Sequence, residues 1–220
     1  MKRLRVLVTA GPTREYIDPV RFISNPSTGK MGFALAEAAR KKGFLVTLVS
    51  GPVCLKTPQD IELIPVITAA EMAQAVLNRI DKNDLLIMAA AVADFKPSLC
   101  LKEKIKKTRN KFKSINLEPT QDILLQVAER KRGKFVVGFA AETENCLKNA
   151  RRKLVEKNLD MIVLNDVAAP GIGFGYDTNQ VSVITSDFKV ERFPVLSKRE
   201  TAEIILDCIS INMKGMKSNG

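Results

Sequence analysis

The sequence predicts an α/β protein whose mostly parallel sheet is covered by helices on both faces. Short apolar runs rich in β-branched residues alternate with segments whose apolar residues recur at helical spacing. Glycine and proline punctuate these segments, and no internal repeat or linker composition interrupts them. Of the 220 residues, 45% are hydrophobic and 27% charged, which is enough apolar material for one full core. We therefore expect one domain over residues 1–213 and a disordered tail at 214–220.

Six apolar runs predict strands, and five periodic segments predict helices. The strands are expected at residues 5–9, 45–50, 61–64, 84–91, 135–140 and 160–164. The helices are expected at residues 29–42, 68–80, 120 or 122 to about 130, 143–157 and 198–213. Gly43 stops the first helix, and Gly51 closes the second strand. Pro65 places the third strand near a sheet edge, and Thr68 with Glu71 forms a capping-box pattern at the second helix.

Near the C-terminus the pattern changes to that of a β-hairpin. Residues 180–185 and 188–193 are two short strand-like runs, which we expect to pair with each other. In open parallel sheets, ligands bind beyond the carboxyl ends of the strands. The residues that follow each predicted strand are therefore the ones to examine for function.

The amino-acid composition limits which catalytic groups and binding partners the chain can use. The chain has no histidine, and 35 Lys+Arg against 24 Asp+Glu give a formal net charge of +11. Ser-His-Asp triads, Cys-His pairs and imidazole metal sites are excluded, so proton transfer must fall to other side chains. The excess positive charge favours polyanionic partners such as nucleotides, nucleic acid or a membrane surface.

The cysteines and the apolar runs predict a cytoplasmic protein. Cys54, Cys100, Cys146 and Cys208 are scattered without a C-x-x-C pair, which disfavours a zinc or disulfide framework. The longest apolar stretches, such as 85–93, are far shorter than the roughly 20 residues that span a bilayer. The first five residues lead directly into a strand-like run, without a signal-peptide pattern.

The first candidate stretch for chemistry spans residues 9–32, TAGPTREYIDPVRFISNPSTGKMG. Gly29 and Lys30 precede a helix, where small residues let a phosphate approach the free N–H groups of the first turn. Helix capping explains the same pattern equally well. The spacing matches neither a P-loop nor a dinucleotide fingerprint, which argues against NAD. Asn25 can both donate and accept hydrogen bonds, which suits a substrate carbonyl or amide.

Three further sets of residues also follow strands. The alanines of MAAAVAD, residues 88–94, would let a flat ring lie on the backbone while Asp94 binds a hydroxyl or a metal, although a small-residue core fits the same pattern. Phe139 could stack on a base, but filling the core is the commoner role. Lys153 and Lys157, one turn apart, suit a triphosphate or a solvated face.

A basic segment, KEKIKKTRNKFK, covers residues 102–113 and has seven basic residues and one acid. Such a run is usually a solvated face, and it could also be a nucleic-acid arm. Because it follows a strand end, a flap that closes over a phosphorylated substrate fits at least as well. The chemistry of the glycine-rich loop at 164–179 stays open.

Together these segments resemble the phosphopantothenate–cysteine ligases, also called phosphopantothenoylcysteine synthetases. The matching pieces keep the family order from about residue 4 to 212. They are the 9–32 stretch, VTLVSGPV, AAAVADF, EKIKK, VGFAAET, the Lys153/Lys157 pair, and LNDV followed by GFG. The resemblance implies a Rossmann-like sheet with an added C-terminal hairpin used for dimerisation, hence a homodimer. In many bacteria this unit is fused to a flavin-dependent decarboxylase. We expect a stand-alone synthetase here, with a separate decarboxylase as a candidate partner.

The resemblance also implies the reaction. The carboxylate of 4′-phosphopantothenate attacks the α-phosphate of CTP, or of ATP in the eukaryotic branch, and releases pyrophosphate. The amine of L-cysteine then displaces the nucleotide. The nucleophile of the first step is ionised at pH 7, so no histidine is needed. Mg²⁺ is the expected cofactor, with its protein ligands unassigned, and no nucleic acid or membrane partner is expected.

The expected site residues follow from these two lines of reasoning. Asn25 and Arg21 match functional family positions, and Lys104 matches the motif lysine of the flap. Nucleotide contacts are expected from Gly11, Ser27, Gly29, Lys30, Met88, Ala89, Ala90, Asp94, Lys104, Gln121, Asp122, Ile123, Leu124, Phe139, Lys153 and Lys157. Gln121 stands where the family usually has proline, and the loop departs mildly from the family pattern at Pro26 and Thr28.

Two other classes of protein stay open. An NAD(P)-dependent reductase could use the same fold, but the fingerprint and the acid after the second strand are missing. A nucleic-acid-binding module could use the 102–113 segment, and it would bind duplex DNA with steep salt dependence.

Overall fold

The computed structural model describes residues 3–106, 114–142, 144–166 and 175–218. The strands are β1 (Arg5–Ala10), β2 (Arg14–Tyr16), β3 (Phe22–Ser24), β4 (Leu45–Ser50), β5 (Glu62–Pro65), β6 (Leu85–Met88), β7 (Phe95–Pro97), β8 (Leu117–Pro119), β9 (Phe135–Glu142), β10 (Met161–Asp166), β11 (Thr178–Asn179), β12 (Val181–Thr185), β13 (Val190–Arg192) and β14 (Leu196–Ser197). The helices are α1 (Lys30–Lys41), α2 (Ala69–Leu77), α3 (Ile123–Ala128), α4 (Cys146–Glu156) and α5 (Lys198–Ser218), with a 3₁₀ turn at Ile80–Lys82.

Eight strands form the central sheet, in the order β13-β12-β10-β9-β6-β1-β4-β5. The six strands from β10 to β5 are parallel, whereas β12 and β13 are antiparallel. Counted along the chain, the parallel strands lie in the order 3-2-1-4-5-6, as in dinucleotide-binding folds. The order reverses between β1 and β6, so the loops that follow these two strands part and leave a crevice. The predicted α/β class is confirmed.

Helices cover both faces of this sheet. On one face, α1 and α5 bury Phe33, Leu35 and Ile205 against Val6 and Val8 of β1. On the other face, α2, α3 and α4 pack over the side of β1 that carries Leu7. This alternation follows from the two-residue period of a strand, and each fully buried aliphatic side chain stabilises the fold by about 1.5–3 kcal/mol.

Helix α1 lies very close to β1 because Gly32 faces Ala10. A Cβ atom on Gly32 would stand 2.5 Å from the Cβ atom of Ala10, so no other residue fits without a shift of the helix. The close contact holds the N-terminus of α1 beside the carboxyl end of β1, where the crevice opens.

The predicted elements are all present, with differences at their ends. The predicted strand at 84–91 ends at Met88. Beyond it the amides of Ala90 and Ala93 donate to threonine side chains, whereas the amide of Ala91 donates to the backbone of the segment after β1. The capping box of Thr68 and Glu71 is confirmed, and so is the edge position of β5. The last helix was expected to end at residue 213 before a disordered tail, but α5 continues to Ser218. No proline interrupts that stretch, and its one glycine costs a helix only about 1 kcal/mol.

The predicted hairpin is confirmed as β12 and β13, and it extends the central sheet through the pairing of β12 with β10. Its outer strand exposes Glu191 and Arg192. Three two-stranded sheets, β2–β3, β7–β8 and β11–β14, were not predicted, and β2 lies against β7. Exposed apolar side chains on or beside the β2–β3 and β7–β8 sheets are Val20, Phe22, Phe95, Leu99 and Leu117. Among the described residues, no helix has the length and apolar character needed to cross a membrane.

Candidate active site

A cavity of about 540 Å³ opens at the carboxyl ends of the parallel strands, where the strand order reverses. Its volume lies within the roughly 300–1,000 Å³ of typical small-molecule sites. The predicted site residues that line it are Asn25, Ser27, Gly29, Lys30, Met88, Ala89, Ala90, Asp94, Gln121, Asp122, Ile123, Leu124, Phe139, Lys153 and Lys157. Gly11, Arg21 and Lys104 are not among its lining residues. Predicted positions outside the described residues are 107–113 of the basic segment and 167–174 of the glycine-rich loop.

The N-terminus of α1 forms one wall of the cavity. Gly29 is its N-cap, with φ of 76°, and no side chain caps the first turn. The N–H groups at the start of a helix lack intrahelical partners, so this end favours anions. Gly11 lies behind this wall: a Cβ atom on Gly29 would stand 3.4 Å from the Cα atom of Gly11. Gly11 therefore supports the loop rather than lining the cavity.

The irregular segment after β6 forms the next wall and is held by polar side chains on both sides. Thr9 Oγ1 accepts from the amide of Ala90 at 3.1 Å. Asn25 Nδ2 donates to the carbonyl oxygens of Ala91 and Val92, both at 3.1 Å. Asn25 thus fixes the wall as well as lining it. A backbone held in this way is pre-organised for a flat ligand group.

Phe139 is placed for either of the roles that the sequence left open, stacking on a base or filling the core. It is half-buried and packs against the core, and it also lines the cavity. Phe139 lies in the middle of β9, the strand that pairs with β6, and its position fits contact with a base without excluding a packing role.

Lys153 and Lys157 line the cavity in ion pairs. Lys153 Nζ lies 2.6 Å from Glu142 Oε1, and Lys157 Nζ lies 2.9 Å from Asp122 Oδ2. Asp122 also caps α3 by accepting from the amides of Leu124 and Leu125. Each ammonium group is therefore positioned and largely neutralised by a carboxylate of the protein.

Lys198 is a cavity residue that sequence reasoning missed. It is only 9% exposed, and its Nζ donates to the carbonyl oxygen of Tyr176. Lys30 Nζ lies 2.6 Å from Asp177 Oδ1, next to this group. Burial and the charge of Lys30 lower the pKa of Lys198, although Asp177 acts in the opposite direction. No sequence signal marks Lys198, because α5 reaches the cavity only through its packing on α1.

Two asparagines at the cavity were also missed. The Oδ1 atoms of Asn165 and Asn179 are buried without a hydrogen-bond partner in the described part of the chain. Mg²⁺ prefers oxygen ligands, so amide oxygens and Asp94 are suitable donors. However, the described residues contain no group of three acidic, histidine or cysteine side chains that could hold a metal.

Arg21 and Lys104 belong to a separate cluster outside the cavity. The buried carboxylate of Asp18 accepts from Arg21 Nη1 at 2.8 Å and from the amide of Ile105 at 3.2 Å. Arg21 Nη1 and Nη2 also donate to the carbonyl oxygen of Ile105, at 3.4 and 3.3 Å. Both peptide groups of Ile105 are thus clamped directly after Lys104, which is exposed.

Several effects compete at Asp18. Burial alone would raise the pKa of this carboxyl group. Backbone hydrogen bonds from Val20, Ile105 and Arg21, with the charge of Arg21, outweigh burial and hold the pKa below its ordinary value. The clamp therefore holds a carboxylate that is ionised at neutral pH.

The fold and the cavity define a Rossmann-like α/β protein with a cavity of small-molecule size where its strand order reverses. The family described as DNA/pantothenate metabolism flavoprotein C-terminal domain matches residues 1–212. The chain belongs to this family, which confirms the resemblance found in the sequence.

Individual relatives agree with this assignment. The coenzyme A biosynthesis bifunctional protein CoaBC of Bacillus subtilis (strain 168) is 50% identical over 206 residues, which cover 93% of this chain and 50% of the relative. The chain spans about half the length of the curated relatives it matches. The crystal structure of the C-terminal domain of a CoaBC protein is 40% identical, with a TM-score of 0.83 and 98% of each chain covered. A Cab2 mutant in complex with phosphopantothenate-cysteine shares the fold at 18% identity and a TM-score of 0.80, over 98% of this chain and 88% of that one.

Proposed function

We propose that the chain joins 4′-phosphopantothenate to L-cysteine with a nucleoside triphosphate, and so makes 4′-phosphopantothenoyl-L-cysteine for coenzyme A biosynthesis. The observation that carries this proposal is the cavity, since residues expected to contact the nucleotide gather around it from distant parts of the chain. The Bacillus subtilis relative, a coenzyme A biosynthesis bifunctional protein, supports the pathway. The compound bound by the Cab2 mutant supports the product.

In the first step, a carboxylate oxygen of 4′-phosphopantothenate attacks the α-phosphorus of the nucleotide. The bond from that phosphorus to the bridging oxygen breaks, and pyrophosphate leaves with the electron pair. The attacking group is already ionised at pH 7, so a chain without histidine has what this step needs. Lysines at the cavity stabilise the charge that develops on the phosphates.

In the second step, the amine nitrogen of cysteine attacks the acyl carbon. The bond from this carbon to the phosphate oxygen breaks, the nucleoside monophosphate leaves with the electron pair, and the nitrogen releases a proton to solvent. Lys104 is proposed to act here from the flap. The Asp18–Arg21 clamp supports this role, because it fixes the segment after Lys104 to the loop that leads to Asn25.

CTP is the proposed nucleotide, by resemblance to the bacterial branch, with ATP as the alternative. When bound, Mg²⁺ would neutralise charge on the triphosphate. Asp94, Asn165 and Asn179 are the described residues suited to hold the cation or its water.

We also propose a homodimer, a cytoplasmic location and a separate decarboxylase as a candidate partner. The four cysteines are all free, in keeping with a reducing compartment.

The test is pyrophosphate release with 4′-phosphopantothenate, cysteine and either CTP or ATP. We expect release with CTP that requires 4′-phosphopantothenate. The proposal fails if neither nucleotide gives pyrophosphate, and the choice of CTP fails if ATP is used in its place.

A further inference from the structure

We propose that Lys198 and Lys30 form the polyphosphate-binding end of the cavity, where they hold the pyrophosphate part of the nucleotide. The identity of the nucleotide rests on the proposed function. The binding of a polyphosphate at this end rests on the arrangement of the described residues alone.

The two lysine pairs of the cavity differ in what surrounds them. Lys153 and Lys157 face carboxylates at 2.6 and 2.9 Å, and the side chain of Glu142 is only 14% exposed. Lys30 instead pairs with Asp177, whose side chain is 84% exposed, so water and salt screen that carboxylate. Positive charge is therefore less compensated at Lys30 than at Lys153 or Lys157.

The positions of the lysines on their helices also favour anion binding at the end of the cavity that holds Lys30. Lys30 is the first residue of α1, and Lys198 is the first residue of α5. Helix N-termini carry partial positive charge, which is unfavourable for a cation and favourable for an anion. Lys157 instead follows the last residue of α4, at the negative end of that helix. The N-terminus of α5 is capped by Ser197 and Glu200, whereas that of α1 has no side-chain cap. Two lysines and the open N-terminus of α1 thus meet at one end of the cavity, which is the place for the most highly charged part of a ligand.

Lys198 lies buried beside a second lysine. A lysine that is 9% exposed loses most of its hydration, and the charge of Lys30 lies nearby. Both effects lower the pKa of Lys198, and Asp177 offsets them only in part. An anion bound between the two lysines would relieve their repulsion.

Asn179 provides an independent sign of a missing ligand at this end. It is 3% exposed, its Oδ1 has no hydrogen-bond partner among the described residues, and its Nδ2 donates at 3.3 Å to Met31 Sδ, in the first turn of α1. A thioether is a weak acceptor, so the protein satisfies neither end of this buried amide well. A phosphate oxygen, with its water or cation, offers the groups that the amide lacks.

A purely structural role for Lys198 is the competing interpretation. Its bond to the carbonyl oxygen of Tyr176 ties the loop before β11 to α5. That role predicts lower stability in a variant without the charge, but no specific loss of polyphosphate affinity. Anion affinity and stability must therefore be measured separately.

The experiment is calorimetric titration with inorganic pyrophosphate, which does not depend on ligase activity. Lys198→Met should weaken pyrophosphate binding about tenfold or more, the effect expected for losing a hydrogen bond to a charged group. Lys198→Arg keeps the charge and should retain most of the affinity. Lys189→Met removes a lysine that is 85% exposed and paired with Asp187 in the hairpin turn, so its affinity should match the wild type.

The inference is overturned if the wild type does not bind pyrophosphate, or if folded Lys198→Met binds it as tightly as the wild type. It is also overturned if Lys153→Met weakens binding more than Lys198→Met does. If Lys198→Met does not fold, Lys30→Met tests the same end and should show a similar loss. Pyrophosphate binding that depends on Lys198 in a protein without ligase activity would refute the proposed function and leave this inference standing.

Discussion

Asn25 is the residue for which a change of a single atom should matter most. Its Nδ2 donates to two carbonyl oxygens at 3.1 Å, and an aspartate there would oppose both with a carboxylate oxygen. We expect Asn25→Asp to lower kcat about 100-fold or more, because two bonds are lost and repulsion is added at the cavity wall, while circular dichroism stays native.

The control for this change is Asn212→Asp. Asn212 Nδ2 donates to the carbonyl oxygen of Cys208 within α5, so it loses a comparable bond away from the cavity and should keep wild-type turnover. Wild-type turnover in Asn25→Asp would remove Asn25 from the site.

Asp18 is expected to act as a positioning residue for Lys104. Asp18→Asn would place an amide group against donors from Arg21 and Ile105, and so loosen the segment that follows Lys104. We expect a slower cysteine-dependent half-reaction and faster hydrogen exchange at residues 101–106, with the pyrophosphate-forming step less affected. Equal slowing of both half-reactions, with unchanged exchange, would contradict this role.

The same residue should contribute to acid sensitivity. Its folded-state pKa lies below the unfolded value of about 3.9, so its interactions stabilise the fold above that pH. This contribution is lost as the pH falls through the folded-state pKa. Urea denaturation at a series of acidic pH values should therefore show a shallower loss of stability for Asp18→Asn than for the wild type.

At the scale of elements, the contact between α1 and β1 positions the anion-binding wall. Gly32→Ala puts a Cβ atom 2.5 Å from that of Ala10, so α1 must move. Overpacking of this kind costs about 1–3 kcal/mol of unfolding free energy, and the shift should also raise KM for the nucleotide. Gly215→Ala is the control, since its Cβ would meet nothing within 4 Å in α5, and its thermal midpoint should be unchanged or higher.

The elements differ in how easily they can be predicted from the sequence. The capping box of α2 was predictable because Thr68 and Glu71 lie three residues apart and act locally. β2, β3, β7 and β8 have three residues each, too few to show a period. The cavity walls formed by residues 25–30 and 88–94 were predictable because the first leads into a predicted helix and the second lies at the end of a predicted strand. Lys198, Asn165 and Asn179 were not, because their place at the cavity depends on how α5, β10 and β11 pack in three dimensions.

At the scale of the whole molecule, the proposed homodimer has two candidate surfaces. The hairpin edge exposes the charged Glu191 and Arg192, whereas Phe95, Leu99 and Leu117 are exposed apolar residues beside the small sheets. Clustered exposed apolar side chains are the more typical mark of an interface. In contrast to the hairpin interface that the resemblance implies, we expect Leu117→Asp to give a monomer by light scattering and Arg192→Glu to leave the dimer intact. A dimer that Arg192→Glu disrupts and Leu117→Asp does not would assign the interface to the hairpin.

The central claim is that this histidine-free α/β chain is a nucleotide-dependent amide ligase. Mass spectrometry of a reaction with 4′-phosphopantothenate, L-cysteine, Mg²⁺ and CTP tests it most directly. The account predicts equal amounts of 4′-phosphopantothenoyl-L-cysteine, CMP and pyrophosphate. Absence of the amide product with both CTP and ATP, from folded protein, would contradict the account, and release of inorganic phosphate with CDP would contradict its mechanism.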